Sequence, residues 1–76
     1  MQELITFIAR SLVDNPEGVQ VTVTEEDDTV VIDLAVDKDD LGKVIGKQGR
    51  TARAMRSLLA ATAGKDDKKS RLNILE

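Results

Sequence analysis

Seventy-six residues without cysteine or histidine make one small domain that buries roughly 60% of its unfolded surface, and they exclude disulfides, thiolate metal sites and the usual general base. A hydrophobic share of 41% beside 33% charged residues is that of an ordinary folded domain and excludes a disordered chain. The net charge of −3 argues against an anionic partner only until its distribution is read: residues 42–56 carry five basic side chains and no acid, and the other 61 residues carry six basic and fourteen acidic ones.

Such segregation sets up a local field opposite in sign to the net charge, and local fields decide where an anion docks. No apolar run is long enough to span a bilayer, and Met1 leads into QELITFIARSLV with neither a basic start nor a cleavage site. The expectation is a cytoplasmic protein without membrane insertion.

In chain order, Leu4, Ile5, Ile8 and Leu12 recur at helical spacing and predict a first helix with one apolar face, Phe7 being assigned to its core. Asp14, Asn15 and Pro16 stop it. Val19, Val21 and Val23 then alternate as in a half-buried strand, and EEDD at 25–28 reads as a turn. Val30, Ile32, Leu34 and Val36 resume the alternation and complete a hairpin, with Asp33 on the opposite face. Asp37 or Asp39 caps a short helix in which Leu41, Val44 and Ile45 share a face. A second helix runs from about Arg50 to Ala63, with Ala52, Met55, Leu59 and Thr62 inward, Leu58 nearby and Gly64 as its stop. KDDKK is a solvated loop, and SRLNILE is a last strand with Leu72 and Ile74 inward. The order α-β-β-α-α-β, without repeat or linker, predicts one α+β domain over residues 1–76 with a three-stranded sheet covered on one face by three helices.

Between the two later helices stands Gly46-Lys47-Gln48-Gly49. Glycines there permit backbone angles closed to other residues and let a ligand approach the main chain. The following helix points free N–H groups and its positive dipole end at the same place, and Lys47, Arg50 and Arg53 add charge. That combination suits a phosphodiester backbone. Other glycine motifs fail: a phosphate-binding P-loop needs glycine where Leu41 stands and a hydroxyl where Gln48 stands, and a dinucleotide fingerprint needs a G-x-G pair that the spacing 42, 46, 49 lacks. DKDDLG begins like a calcium loop, but Leu41 and Gln48 occupy positions that need oxygen ligands.

The longer string VIGKQGRTARAMR, preceded by DDLG, resembles the signature of the KH domain, a nucleic-acid-binding module, and the element order resembles its bacterial type II arrangement. LVDNPEGVQV and GKVIGKQGRTARAMRSLL resemble the small bacterial single-KH proteins of the KhpA type, over essentially the whole chain. The resemblance implies a non-catalytic protein in which Gly46, Lys47, Gln48 and Gly49 clamp the backbone of single-stranded RNA. It places Gly42, Val44, Ile45 and Ala52 along an apolar groove, Arg50 and Arg53 on phosphates, and Lys43 among the RNA-facing cations. Ile45 is read as core, as groove lining or as both, and Arg56 as solvated. The resemblance further implies a homodimer, or a heterodimer with a larger KH-containing partner linked to cell-envelope growth, in a post-transcriptional or RNA-chaperone role. The alanine-rich SLLAATAG is either a site of close helix–helix approach between copies or tight packing within one chain.

One aromatic residue is too few for a sheet that stacks bases, which disfavours RRM and OB modules. About three or four phosphate contacts on an acidic chain imply weak binding, with a log–log salt slope of about −0.7 per contact. The competing reading is a protein–protein adapter with little RNA binding of its own. No cofactor or metal is expected, and catalysis is not: the paired acids Asp27/Asp28 and Asp39/Asp40 fit turn and cap settings.

Overall fold

The computed structural model describes residues 2–75. The elements are α1 (Gln2–Leu12), β1 (Gln20–Glu26), β2 (Thr29–Ala35), α2 (Leu41–Ile45), α3 (Arg50–Gly64) and β3 (Lys69–Leu75), with single 3-10 turns at Pro16–Gly18, Lys38–Asp40 and Lys47–Gly49. This is the α+β order that the type II KH resemblance implies. The sheet runs β1-β2-β3. β1 pairs antiparallel with β2, Val23 opposite Ile32, and β2 pairs parallel with β3, Ile32 opposite Leu72. The parallel step is possible because α2 and α3 carry the chain back across the sheet.

Alternation decides which face is covered. Val30, Ile32 and Leu34 are buried along β2 and meet Ile5 and Ala9 of α1, Val44 of α2, Met55 and Leu59 of α3 and Leu72 of β3 in one cluster. The odd-numbered residues of β2 face the other way, where the Asn73 amide donates to Asp33 at 3.0 Å. Both sheet edges are partly satisfied by side chains: Gln2 donates to the Val21 carbonyl at 3.3 Å on β1, and Arg56 to the Leu72 carbonyl at 3.4 Å on β3. Such contacts blunt an edge that otherwise offers unpaired backbone groups.

Five expectations need correction. Phe7 is 71% exposed, because the helical positions that reach the sheet are Ile5 and Ala9 and Phe7 lies off that stripe. Glu25 and Glu26 belong to β1, pairing with Val30 and Thr29, so the turn is only Asp27-Asp28, with Asp27 at φ 53°. The buried stripe of α3 is Ala52, Met55, Leu59 and Ala63, with Thr62 only half-buried and Leu58 exposed. Nor is Gly64 the left-handed stop. Asp67 takes φ 57°, its N–H donating to Gly64 O at 3.1 Å and that of Lys68 to Ala63 O at 3.0 Å, which is a Schellman closure built on an aspartate.

The fifth correction concerns the acids before α2. Asp37 does act as a cap, but of the 3-10 turn that runs into α2, its carboxylate accepting from the Asp39 N–H at 3.4 Å; the Asp39 side chain caps nothing among the described residues. Asp40, at the N-cap position, turns its carboxylate away from its own helix and is buried. Its oxygens accept the Asp14 and Asn15 N–H groups, each at 3.1 Å, and Lys43 Nζ lies 3.4 Å away and also pairs with Asp14. The connection after α1 is thereby tied to the start of α2. Burial alone would raise the Asp40 carboxyl, but the two backbone donors and the Lys43 ammonium outweigh it and hold the pKa below the ordinary 3.8. Lys43, bonded foremost to Asp14, is held above 10.5.

Two outcomes are expected. Leu59, fully buried, cut to Ala should cost about 2–5 kcal/mol in urea unfolding, much of the stability of so small a domain. Because Asp40 titrates lower folded than unfolded, its contribution is complete above the unfolded pKa near 3.8 and is lost as pH falls through the lower folded value. Thermal melts of the wild type should therefore drop faster below about pH 4 than those of Asp40→Asn, which starts lower at neutral pH. Parallel pH curves would refute that assignment.

Candidate nucleic-acid interface

The turn between α2 and α3 is made by its glycines, each in a different way. Gly46 closes α2 through its N–H to Gly42 O at 2.9 Å and sits at φ 79°, ψ 171°, a region essentially reserved for glycine. A Cβ there would stand 2.2 Å from Thr51 Oγ1 and 2.8 Å from the Thr51 backbone N. The first turn of α3 thus rests directly against the Gly46 main chain. Gly49 is left-handed at φ 73°, ψ 14°, and an added Cβ there would meet nothing within 4 Å. Gly42 is helical and equally open, so neither packing nor backbone angle demands a glycine at that position.

Between the two hinge glycines, Gln48 is also left-handed, at φ 58°, ψ 26°. The Gly49 N–H donates to Gly46 O at 3.1 Å, and the Arg50 N–H to Lys47 O. The N–H groups of Lys47 and Gln48 have no acceptor among the described residues. They lie where α3 begins, so two free donors and the positive end of a fifteen-residue helix share one exposed turn.

The other side chains expected at the site divide into support and surface. Val44 is completely buried and Ala52 4% exposed, so both hold the turn from beneath; Ile45, 36% exposed, opens to solvent. The five cations of residues 42–56 are likewise not equivalent. Lys43 is paired with Asp14 and Asp40, Arg53 donates to the Gln48 carbonyl at 2.7 Å, and Arg56 is bound to the Leu72 carbonyl on the sheet edge. Lys47 and Arg50 are exposed and bonded to no acid or carbonyl among the described residues. Sequence spacing could not show these pairings, because Asp14 lies 29 residues from Lys43. Thr51 was also missed, although it is the residue against which Gly46 packs.

A cleft of about 350 Å³ lies between α3 and β3, lined by Arg56, Ala60, Ser70, Arg71 and Leu72. Arg56 stands six residues beyond Arg50, about 9 Å along the helix axis, so this cleft and the glycine turn flank the same helix. No group of carboxylates suited to a metal ion occurs among the described residues, and none of their helices is long and apolar enough to cross a membrane.

Residues 2–74 match the family model described as KhpA/KhpB, KH domain. The chain is 51% identical to the RNA-binding protein KhpA of Listeria monocytogenes over all 76 residues of both. Against the protein of the same name from Aquifex aeolicus it is 50% identical, covering all of this chain and 96% of the relative. Against that of Chlamydia trachomatis the figures are 42%, all and 97%. No solved structure gives a significant match.

The two hinge glycines should respond differently to the same methyl group. Gly49→Ala incurs only the left-handed penalty, about 1–2 kcal/mol. Gly46→Ala adds a collision with Thr51 to a backbone that alanine avoids and should cost at least about 3 kcal/mol. Chemical denaturation of both variants checks this; equal losses would show that the Gly46–Thr51 contact does not constrain the turn.

Proposed function

The chain belongs to the KhpA/KhpB KH-domain family, and on that premise we propose that it binds single-stranded RNA without catalysing a reaction on it, gripping the sugar–phosphate backbone at residues 46–49. The observation that carries this reading is the exposed turn in which, among the described residues, the Lys47 and Gln48 amides have no acceptor and the Lys47 and Arg50 side chains no acidic partner, at the start of α3. Phosphate oxygens satisfy N–H donors at a helix start and gain from the positive dipole end. Glycine at 46 and 49 keeps side chains out of the path of the strand. Arg50 flanks the clamp, Ile45 offers an apolar contact at its edge, and Gly42 leaves the adjoining surface of α2 clear.

A base next to the clamped phosphates has the cleft beside β3 within reach, where Arg56 and Arg71 surround Leu72. Lys43 acts through structure and away from that cleft: with Asp14 and Asp40 as its partners it steadies the base of α2. With Lys47 and Arg50 as the uncommitted cations of the loop, binding is weak and moderately salt-dependent. A protein with one weak site gains most from pairing, because a second site on the same assembly raises the effective concentration. The outer face of α3 supports such pairing: Leu58 is 46% exposed, Ala61 is exposed in the next turn, and small side chains allow close helix approach. A dimeric RNA-binding regulator acting in the cytoplasm is the resulting picture.

The decisive comparison uses Lys47→Asp with Gly49→Asp, which leaves the Gly46–Thr51 contact intact. Anisotropy titration of a short labelled oligoribonucleotide at low salt should show binding weakened more than about tenfold, a loss of roughly 1.4 kcal/mol or more, with an unchanged circular dichroism spectrum. Unchanged affinity would reject the clamp.

A further inference from the structure

Gln48 holds a backbone conformation that glutamine does not favour, φ 58° with ψ 26°. Two contacts fix the peptide that follows it. On one side the Gly49 N–H donates to Gly46 O at 3.1 Å. On the other the Gln48 carbonyl accepts Arg53 Nη2 at 2.7 Å, the shortest side-chain contact in the loop and one strengthened by the donor's charge. Arg53 forms no ion pair among the described residues. Its position five residues after Gln48, in the first turn of α3, lets the guanidinium fold back onto the loop that precedes the helix.

From these contacts we infer that Arg53 is a positioning residue: its guanidinium holds the Gln48 carbonyl toward α3 and so keeps the unpaired Lys47 and Gln48 N–H groups turned out to the RNA backbone, without itself neutralising a phosphate. The inference rests on the RNA-clamp reading above and deepens it. A phosphate ligand and a positioning residue differ in one measurable respect. Removing a cation that neutralises a phosphate flattens the dependence of log K on log salt by about 0.7 for a single strand. Removing one that only orders the loop lowers affinity and leaves that slope unchanged.

The test compares wild type, Lys47→Met, Arg53→Met and Arg53→Met combined with Gln48→Asn, each titrated with a short labelled oligouridylate at several salt concentrations. Asparagine accepts a left-handed backbone more readily than glutamine. Arg53→Met is expected to bind about 3- to 10-fold more weakly, the size of one net hydrogen bond, with the wild-type salt slope. The free Arg53→Met protein should also show shifted Gln48 and Gly49 amide resonances in a normal fold. Adding Gln48→Asn should recover most of the affinity. Lys47→Met should weaken binding and flatten the slope. If Arg53→Met flattens the slope as Lys47→Met does, keeps full affinity, or is not rescued, the positioning role is wrong while the clamp stands. A wild-type chain that does not bind the oligonucleotide overturns both.

Discussion

The close approach of the Gly46 main chain to Thr51 is the constraint on which the rest of this molecule turns. It requires a residue with no side chain, and in exchange it lets two helices meet across a four-residue turn. The geometry of the turn follows from that meeting. Once α3 starts against Gly46, the stripe Ala52, Met55, Leu59 and Ala63 is buried, Val44 of α2 joins the same core, and the amides of Lys47 and Gln48 are left without an acceptor among the described residues. The loop is held by its own backbone and by the helices around it, so a domain this small keeps an exposed turn fixed without a large supporting core.

Charge makes a different contribution from the one its distribution suggests. Five cations crowd into fifteen residues of an otherwise acidic chain, yet the fold spends three of them on itself. Lys43 offsets the burial of Asp40, Arg53 donates to the Gln48 carbonyl within the turn and Arg56 covers a carbonyl on the sheet edge. Lys47 and Arg50 are exposed and unpaired among the described residues. On the proposed reading, backbone donors carry as much of the site as side-chain charge does, and the acidic remainder disfavours anions that lack the shape to enter the turn.

Much of this was legible in the sequence because it depends on local periodicity. The alternation of Val30, Ile32 and Leu34 located the central strand and its covered face, and the spacing of Ala52, Met55 and Leu59 located α3. The glycine turn was legible as a motif. What escaped was either long-range or a matter of which local device prevailed. Asp40 looks like a helix cap, and only the folded chain shows that its oxygens serve the Asp14 and Asn15 amides 26 and 25 residues away. Gly64 looks like a helix stop, yet the left-handed position fell to Asp67, which tolerates it. Phe7 looks like core, but a helix lying on a small sheet has a narrow contact stripe, and Ile5 and Ala9 fill it. Similarly, basic residues near a glycine loop read alike until their partners are known.

The middle position of β2 also carries a consequence for how the chain is made. Its pairing with β1 is a tight hairpin, whereas its pairing with β3 joins residues about forty apart, as Asp33 and Asn73 do. A ribosome adding about 5–20 residues per second needs about 2–8 s to supply that interval. During this wait one side of an apolar strand stands bare, the kind of surface on which nascent chains stick together. Asp33 sits within that strand, next to its central residue, a charge that discourages pairing with a stranger, and the arriving Asn73 amide then gives its carboxylate a native partner.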